Sequence, residues 1–137
     1  MLFRSYNPEL SDRLVASCEK TLIAAGAKKG DIRILRVPGT FEVTAAALKL
    51  AKSHRCDCVI GLGVILQGET SHAHHIADAV ANGLTNITLL TGVPTVFGIV
   101  TANTLRQAQV RCWSKNYNRG QEAAETGISM AELCKTK

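Results

Sequence analysis

The chain has 137 residues, 46% of them hydrophobic and 20% charged, which suits one domain with one apolar core and excludes a disordered segment. Its net charge of +5 is scattered, with no basic stripe interleaved with aromatics, so nucleic-acid binding is disfavoured and an anionic small substrate fits the excess equally well. Five cysteines at irregular spacing argue against a disulfide framework, and no stretch approaches the roughly 20 apolar residues of a membrane span.

In chain order, Asn7 can cap a helix that opens on Pro8 and Glu9. Leu10, Leu14, Cys18 and Leu22 form its apolar stripe, and Gly26 offers a stop. Residues 32–37 read as a strand ended by Pro38-Gly39. Thr40 can cap a second helix running to about Ser53, with Phe41, Ala45 and Leu48 turned inward. Cys56 and Cys58 are too close for a zinc knuckle, and on a strand they face opposite sides, so one is expected as a core filler.

Residues 59–66 are almost wholly apolar, as expected of a central parallel strand. The loop 67–71 leads into a helix through about Leu90. A second apolar strand is expected at 93–100, a capping loop at 101–103, and a helix at 104–113. After the polar connection 114–119, a last helix spans 120–134, with Ala124, Ile128, Ala131 and Leu133 inward. Strands alternate with helices, which predicts a single α/β domain over 1–137 with right-handed parallel crossovers. The opening Met1–Ser5 does not read as a signal peptide, and the cysteine usage fits a reducing compartment, so a cytoplasmic protein is expected.

Ligands of such sheets bind outside the carboxyl ends of the strands. Three of these ends carry informative residues. At Val37-Pro38-Gly39-Thr40-Phe41-Glu42, the turn and Glu42 can face a ligand, or Glu42 can simply favour a helix start. In Gly63–His72, a glycine-bearing loop enters a helix and can present backbone N–H groups to an anion, with Gly68 allowing close approach. Glu69 would repel that anion unless it points away. His72, His74 and His75 point in different directions on a helix, so metal binding is disfavoured. His72 reads as a general acid/base at the helix entrance, with a capping or packing histidine as the alternative. At the third end, Arg111 can grip a phosphate with two parallel hydrogen bonds, or can be a solvated helix arginine. No Walker or dinucleotide-binding glycine motif is present.

Taken together, Val37–Glu42, Gly63-Val64-Ile65 with Gly68–His72, Gly92–Thr101, and Asn118-Arg119-Gly120 with Glu122-Ala123-Ala124 resemble the 6,7-dimethyl-8-ribityllumazine synthase family. The likeness runs from about Tyr6 to Leu133. It implies a three-layer αβα sandwich of flavodoxin-like topology, with a four-stranded parallel sheet whose first strand is short. It also implies the condensation of 5-amino-6-(D-ribitylamino)uracil with 3,4-dihydroxy-2-butanone 4-phosphate, a step of riboflavin biosynthesis that uses no metal or organic cofactor. A non-catalytic lumazine- or flavin-binding scaffold of the same fold is the competing expectation.

Carried over by resemblance, Tyr6 stacks on the pyrimidine, while Thr40 and Glu42 hold polar groups of ring and ribityl chain. Ile65 and Leu66 give backbone contacts, and Gly68, Glu69 and Thr70 lie in the phosphate loop. His72 moves protons, Arg111 pairs with the phosphate, and Arg119 adds a positive group where the family often has lysine. Phe97 closes the pocket from a neighbouring subunit, since family sites lie between adjacent subunits of a pentamer, and some members build icosahedral shells. Riboflavin synthase is the protein partner that the resemblance suggests.

Overall fold

The computed structural model describes residues 2–3, 8–67 and 71–135. Their elements are β1 (Leu2–Phe3), α1 (Pro8–Ala24), a 3-10 turn (Lys29–Asp31), β2 (Leu35–Arg36), a second 3-10 turn (Thr40–Glu42) and α2 (Val43–Lys52). They continue with β3 (Val59–Leu66), α3 (His72–Thr91), β4 (Thr95–Ala102), α4 (Leu105–Trp113) and α5 (Arg119–Lys135). The fold is mixed α/β, with a parallel sheet hydrogen-bonded in the order β2-β1-β3-β4.

The frame is the β3–β4 pair, in register from Val59 opposite Thr95 to Leu66 opposite Ala102. Both strands are rich in β-branched residues and buried on both faces, the condition under which a parallel strand loses its polar alternation. Successive side chains of β3 feed two different cores. Ile60, Leu62 and Val64 pack with α1, α4 and α5, whereas Val59 and Ile65 pack with α2 and α3. Each fully buried Leu, Val or Ile contributes about 1.5–3 kcal/mol relative to exposure, so helices on both faces are what hold the pair in place.

Some expected elements shift. The second 3-10 turn replaces the first turn of the expected helix, closed by the Glu42 N–H donating to the Gly39 carbonyl at 3.2 Å. In a 3-10 turn residues three apart eclipse, so Thr40 and Val43 both point inward while Phe41 is left 60% exposed. Ala45 is exposed as well, Leu48 is half-buried, and the buried face of α2 is Val43, Ala47, Leu50 and Ala51. Thr40 therefore stands inside the turn, and the cap positions are Gly39 for the turn and Glu42 for α2.

Among the described residues the expected strand at 32–37 contracts to Leu35–Arg36, which pairs with Leu2–Phe3. β4 starts at Thr95 and runs on to Ala102: the Pro94 carbonyl accepts from the Val59 N–H at 2.9 Å, and the Ala102 carbonyl accepts from the Gln67 N–H at 2.7 Å. Thr104 caps α4 through its hydroxyl, which accepts from the Gln107 N–H at 3.2 Å. In α5 the buried residues are Gly120, Ala123, Ala124 and Gly127, and Leu133 is 63% exposed on the last turn rather than inward.

Cys56 and Cys58 pack against opposite cores, so both act as fillers rather than one. Burial pushes the Cys18 thiol up to about 12 and those of Cys58 and Cys112 to about 11, which keeps them protonated and unreactive at neutral pH. Among the described residues no group of three or more His, Cys, Asp or Glu could hold a metal ion, and no helix is long and apolar enough to cross a membrane.

Candidate active site

The carboxyl ends of β2 and β3 gather the first set of expected site residues. Thr40 is buried over Gly63, where a β-carbon would lie 2.9 Å from the threonine hydroxyl. Glycine at 63 is thus what allows the 3-10 turn to settle on the strand. The Glu42 side chain is exposed and folds back over Gly39, its Oε2 only 2.8 Å from where a β-carbon on that glycine would sit. Ile65 is buried and Leu66, next to it, is exposed at the mouth. Tyr6, Gly68, Glu69 and Thr70 lie outside the described residues.

His72 is the first residue of α3, and its ring is exposed. Among the described residues it has no hydrogen-bond or ion-pair partner. The Ser71 hydroxyl lies 3.2 Å from Nε2 of His75 instead, one turn along. His74 is exposed too, so the three histidines fan out rather than converge.

A second set sits at the outer edge of β4. The Phe97 carbonyl accepts from Nη2 of Arg119 at 2.6 Å, and the Thr95 N–H donates to the Thr88 hydroxyl at 2.9 Å. Side chains thereby satisfy groups that an edge strand would otherwise leave to water. The Phe97 ring is half-buried and borders a groove of about 250 Å³ with Leu84, Thr88 and Leu89 of α3.

Arg111, on the last turn of α4, is held from two sides. Its Nη1 donates to the Tyr117 carbonyl at 2.8 Å and to Oε1 of Glu122 at 3.2 Å, while Nη2 donates to Oε2 of Glu122 at 2.7 Å. Arg119 shares the same carboxylate, with Nη1 at 3.2 Å from Oε2. The hydrogen bond from Arg111, and then that from Arg119, hold the Glu122 carboxyl below the usual carboxylate range against the opposing effect of burial.

This arrangement depends on the α4–α5 junction. The buried Asn118 side chain donates to the Cys112 carbonyl and to the Ser17 hydroxyl, both at 2.9 Å, and its Oδ1 accepts from the Gln121 N–H at 3.0 Å. Gly120 packs against the Leu14 carbonyl so closely that any side chain there would collide with α1. Asn118 and Gly120 therefore fix where α5 begins, and with it the positions of Arg119 and Glu122.

Neither Glu122 nor Asn118 stood out in the sequence as a site residue. The Arg119–Glu122 spacing of three was readable as a helical ion pair. The Arg111–Glu122 pair was not, because it spans a turn whose geometry no periodicity reveals.

No described hydrogen bond or ion pair links the first set to the second. Thr40, Glu42 and His72 belong to strand ends and the start of α3; Arg111, Arg119 and the Phe97 carbonyl belong to the outer edge of β4.

The family model for 6,7-dimethyl-8-ribityllumazine synthase matches residues 4–135. The chain belongs to the 6,7-dimethyl-8-ribityllumazine synthase family. A relative of that name from Aquifex aeolicus (strain VF5) is 41% identical over 131 residues, an alignment that covers 96% of this chain and 85% of the relative. A lumazine synthase match of that extent takes in both sets of residues, as well as the segments 4–7 and 68–70.

Proposed function

We propose that this enzyme condenses 5-amino-6-(D-ribitylamino)uracil with 3,4-dihydroxy-2-butanone 4-phosphate, releasing phosphate and water to give 6,7-dimethyl-8-ribityllumazine. The observation that carries this reading is the family match over residues 4–135, reinforced by a named synthase at 41% identity. The same match favours the enzyme over the non-catalytic scaffold.

The chemistry asks for little covalent help. The substrate amine attacks the ketone, loss of water gives an imine, phosphate leaves, and the ribityl-bearing amine closes the second ring on the remaining carbonyl with loss of a second water. His72, exposed at the head of α3, is the residue we assign to moving the protons of these steps. Arg111 and the backbone amides of the loop around Gly68, Glu69 and Thr70 stabilise the departing phosphate. Tyr6 stacks on the pyrimidine, Thr40 and Glu42 with the backbone of Ile65 and Leu66 orient it, and Arg119 and Phe97 complete the wall. Holding two reactive molecules together supplies much of the acceleration, and no metal or organic cofactor enters the scheme.

The separation of the two residue sets supports a site shared between copies of the chain, with Thr40, Glu42 and His72 from one subunit facing Phe97, Arg111 and Arg119 from the next. A homopentamer provides such heterologous contacts and closes on itself. The short 114–118 connection is compatible with further assembly into an icosahedral shell. We assign the complete fold to a three-layer αβα sandwich of flavodoxin-like topology with a four-stranded parallel sheet, and the protein to the cytoplasm. Riboflavin synthase, which consumes the lumazine, is the partner we assign to it.

Mixing the purified protein with both substrates tests the reaction directly. Appearance of the fluorescent lumazine is expected. A folded protein that gives none, while each substrate stays intact, overturns the assignment in favour of the scaffold.

A further inference from the structure

A guanidinium carries five N–H donors in one plane, arranged as fixed pairs. In Arg111 the three described bonds use a definite subset of them. The Glu122 carboxylate takes one hydrogen from each Nη in the end-on arrangement, and the Tyr117 carbonyl takes the second hydrogen of Nη1. Among the described residues the Nε–H and the second hydrogen of Nη2 have no partner. These two lie parallel along one side of the plane, with the spacing that matches two oxygens of a phosphate. We propose that Glu122 is a positioning residue for phosphate recognition, which with the Tyr117 carbonyl turns Arg111 so that only its Nε/Nη2 side remains to grip a phosphate monoester.

This rests on the reading of Arg111 as the phosphate ligand, and it makes that reading more specific. The carboxylate also ties in Arg119, which is anchored to the Phe97 carbonyl, so the guanidinium is braced against the edge of β4 rather than left on a flexible stem. Two arginines around one carboxylate leave a single net positive charge, enough to attract an anion while keeping the two cations from repelling each other. Lysine at position 111 would supply a charge but not the fork, because its donors cannot satisfy Glu122 and Tyr117 and still offer a parallel pair.

Charge and position predict opposite signs here. Removing Glu122 takes a negative charge away from an anion site, so electrostatics alone would tighten phosphate binding. At a half-exposed site that gain is screened to a small factor. Loss of orientation acts the other way, and an expected weakening of about tenfold is modest beside what a misplacement of ~1 Å can cost.

The experiment measures KM for each substrate and inhibition by inorganic phosphate in the wild type, Arg111→Ala, Glu122→Ala, Glu122→Gln and the double alanine variant. We expect Glu122→Ala to raise KM for the butanone phosphate and the inorganic phosphate inhibition constant together, with KM for the ribitylaminouracil unchanged. Glu122→Gln, which keeps one acceptor oxygen and the helix, should fall between wild type and Glu122→Ala. The double variant should be no worse than Arg111→Ala. If Arg111→Ala leaves phosphate affinity intact, the phosphate-ligand reading itself is wrong and the inference goes with it. If Arg111→Ala weakens phosphate but Glu122→Ala and Glu122→Gln leave it unchanged or tighter, that reading stands and the positioning role is overturned.

Discussion

His72 heads α3 with an exposed ring and no described partner, so little in the fold depends on it. That makes it a clean test of proton transfer. His72→Ala should leave the thermal melting curve in place while lowering kcat by about 10²-fold, the lower end of what general acid–base catalysis supplies. Equal loss of kcat and of folded protein would instead mark a packing histidine. At this scale the sequence was a poor guide to the direction in which a side chain points. The place of His72 at the head of a helix was legible, since the expected loop ends at residue 71. The exposure of Phe41 was not, since it turns on whether three residues adopt a 3-10 or an α turn. The pairing of Glu122 with Arg111 escaped because the two stand eleven positions apart across a helix junction.

The elements were legible in proportion to how far their own residues determine them. β3 matches its expected bounds at both ends, because an unbroken apolar run buried on two faces has few alternatives. α3 and α4 follow their expected spans within a residue or so, the latter with Thr104 as its cap. Among the described residues β2 pairs over Leu35–Arg36, since a strand's length is set with its partner, which local patterning does not see. The start of α5 is decided from outside as well, by Asn118 reaching α1 and the end of α4. Asn118→Ala removes the α5 cap and leaves the buried Cys112 carbonyl short of a donor. A cap is worth about 1 kcal/mol and an unsatisfied buried group about 1–3 kcal/mol, so a combined loss of roughly 2–3 kcal/mol is expected, allowing for partial relaxation. Urea unfolding should show it as a lower midpoint at unchanged slope. Asn118→Asp retains the oxygen that accepts from Gln121 but not the donor, and should recover only part of the loss. A full recovery would mean that the bond to Cys112 contributes nothing.

At the scale of the whole molecule, the parallel alternation of strands and helices was readable from composition and punctuation, whereas the distance of Arg111 and Arg119 from His72 within one chain was not. Nothing in linear order says that Arg119 would be anchored at the outer edge of β4 while His72 stands beyond the end of β3. The proposed sharing of the site between subunits carries a consequence that no single-chain site can reproduce. His72→Ala and Arg111→Ala damage opposite halves, so each homomeric variant has every site impaired. When the two are unfolded together, refolded and reassembled at equal amounts, an undamaged site arises wherever a subunit with intact His72 faces a neighbour with intact Arg111. For random mixing across a heterologous ring interface that is about one quarter of the sites. Activity should therefore rise to roughly a quarter of the wild-type value, well above either parent treated alone in the same way. Each residue acting within its own chain would give only the average of the parents, however thoroughly the subunits exchange. Native mass measurement of the mixture, with one variant isotopically heavy, separates a true absence of restoration from a failure to exchange, because only exchanged assemblies show intermediate masses.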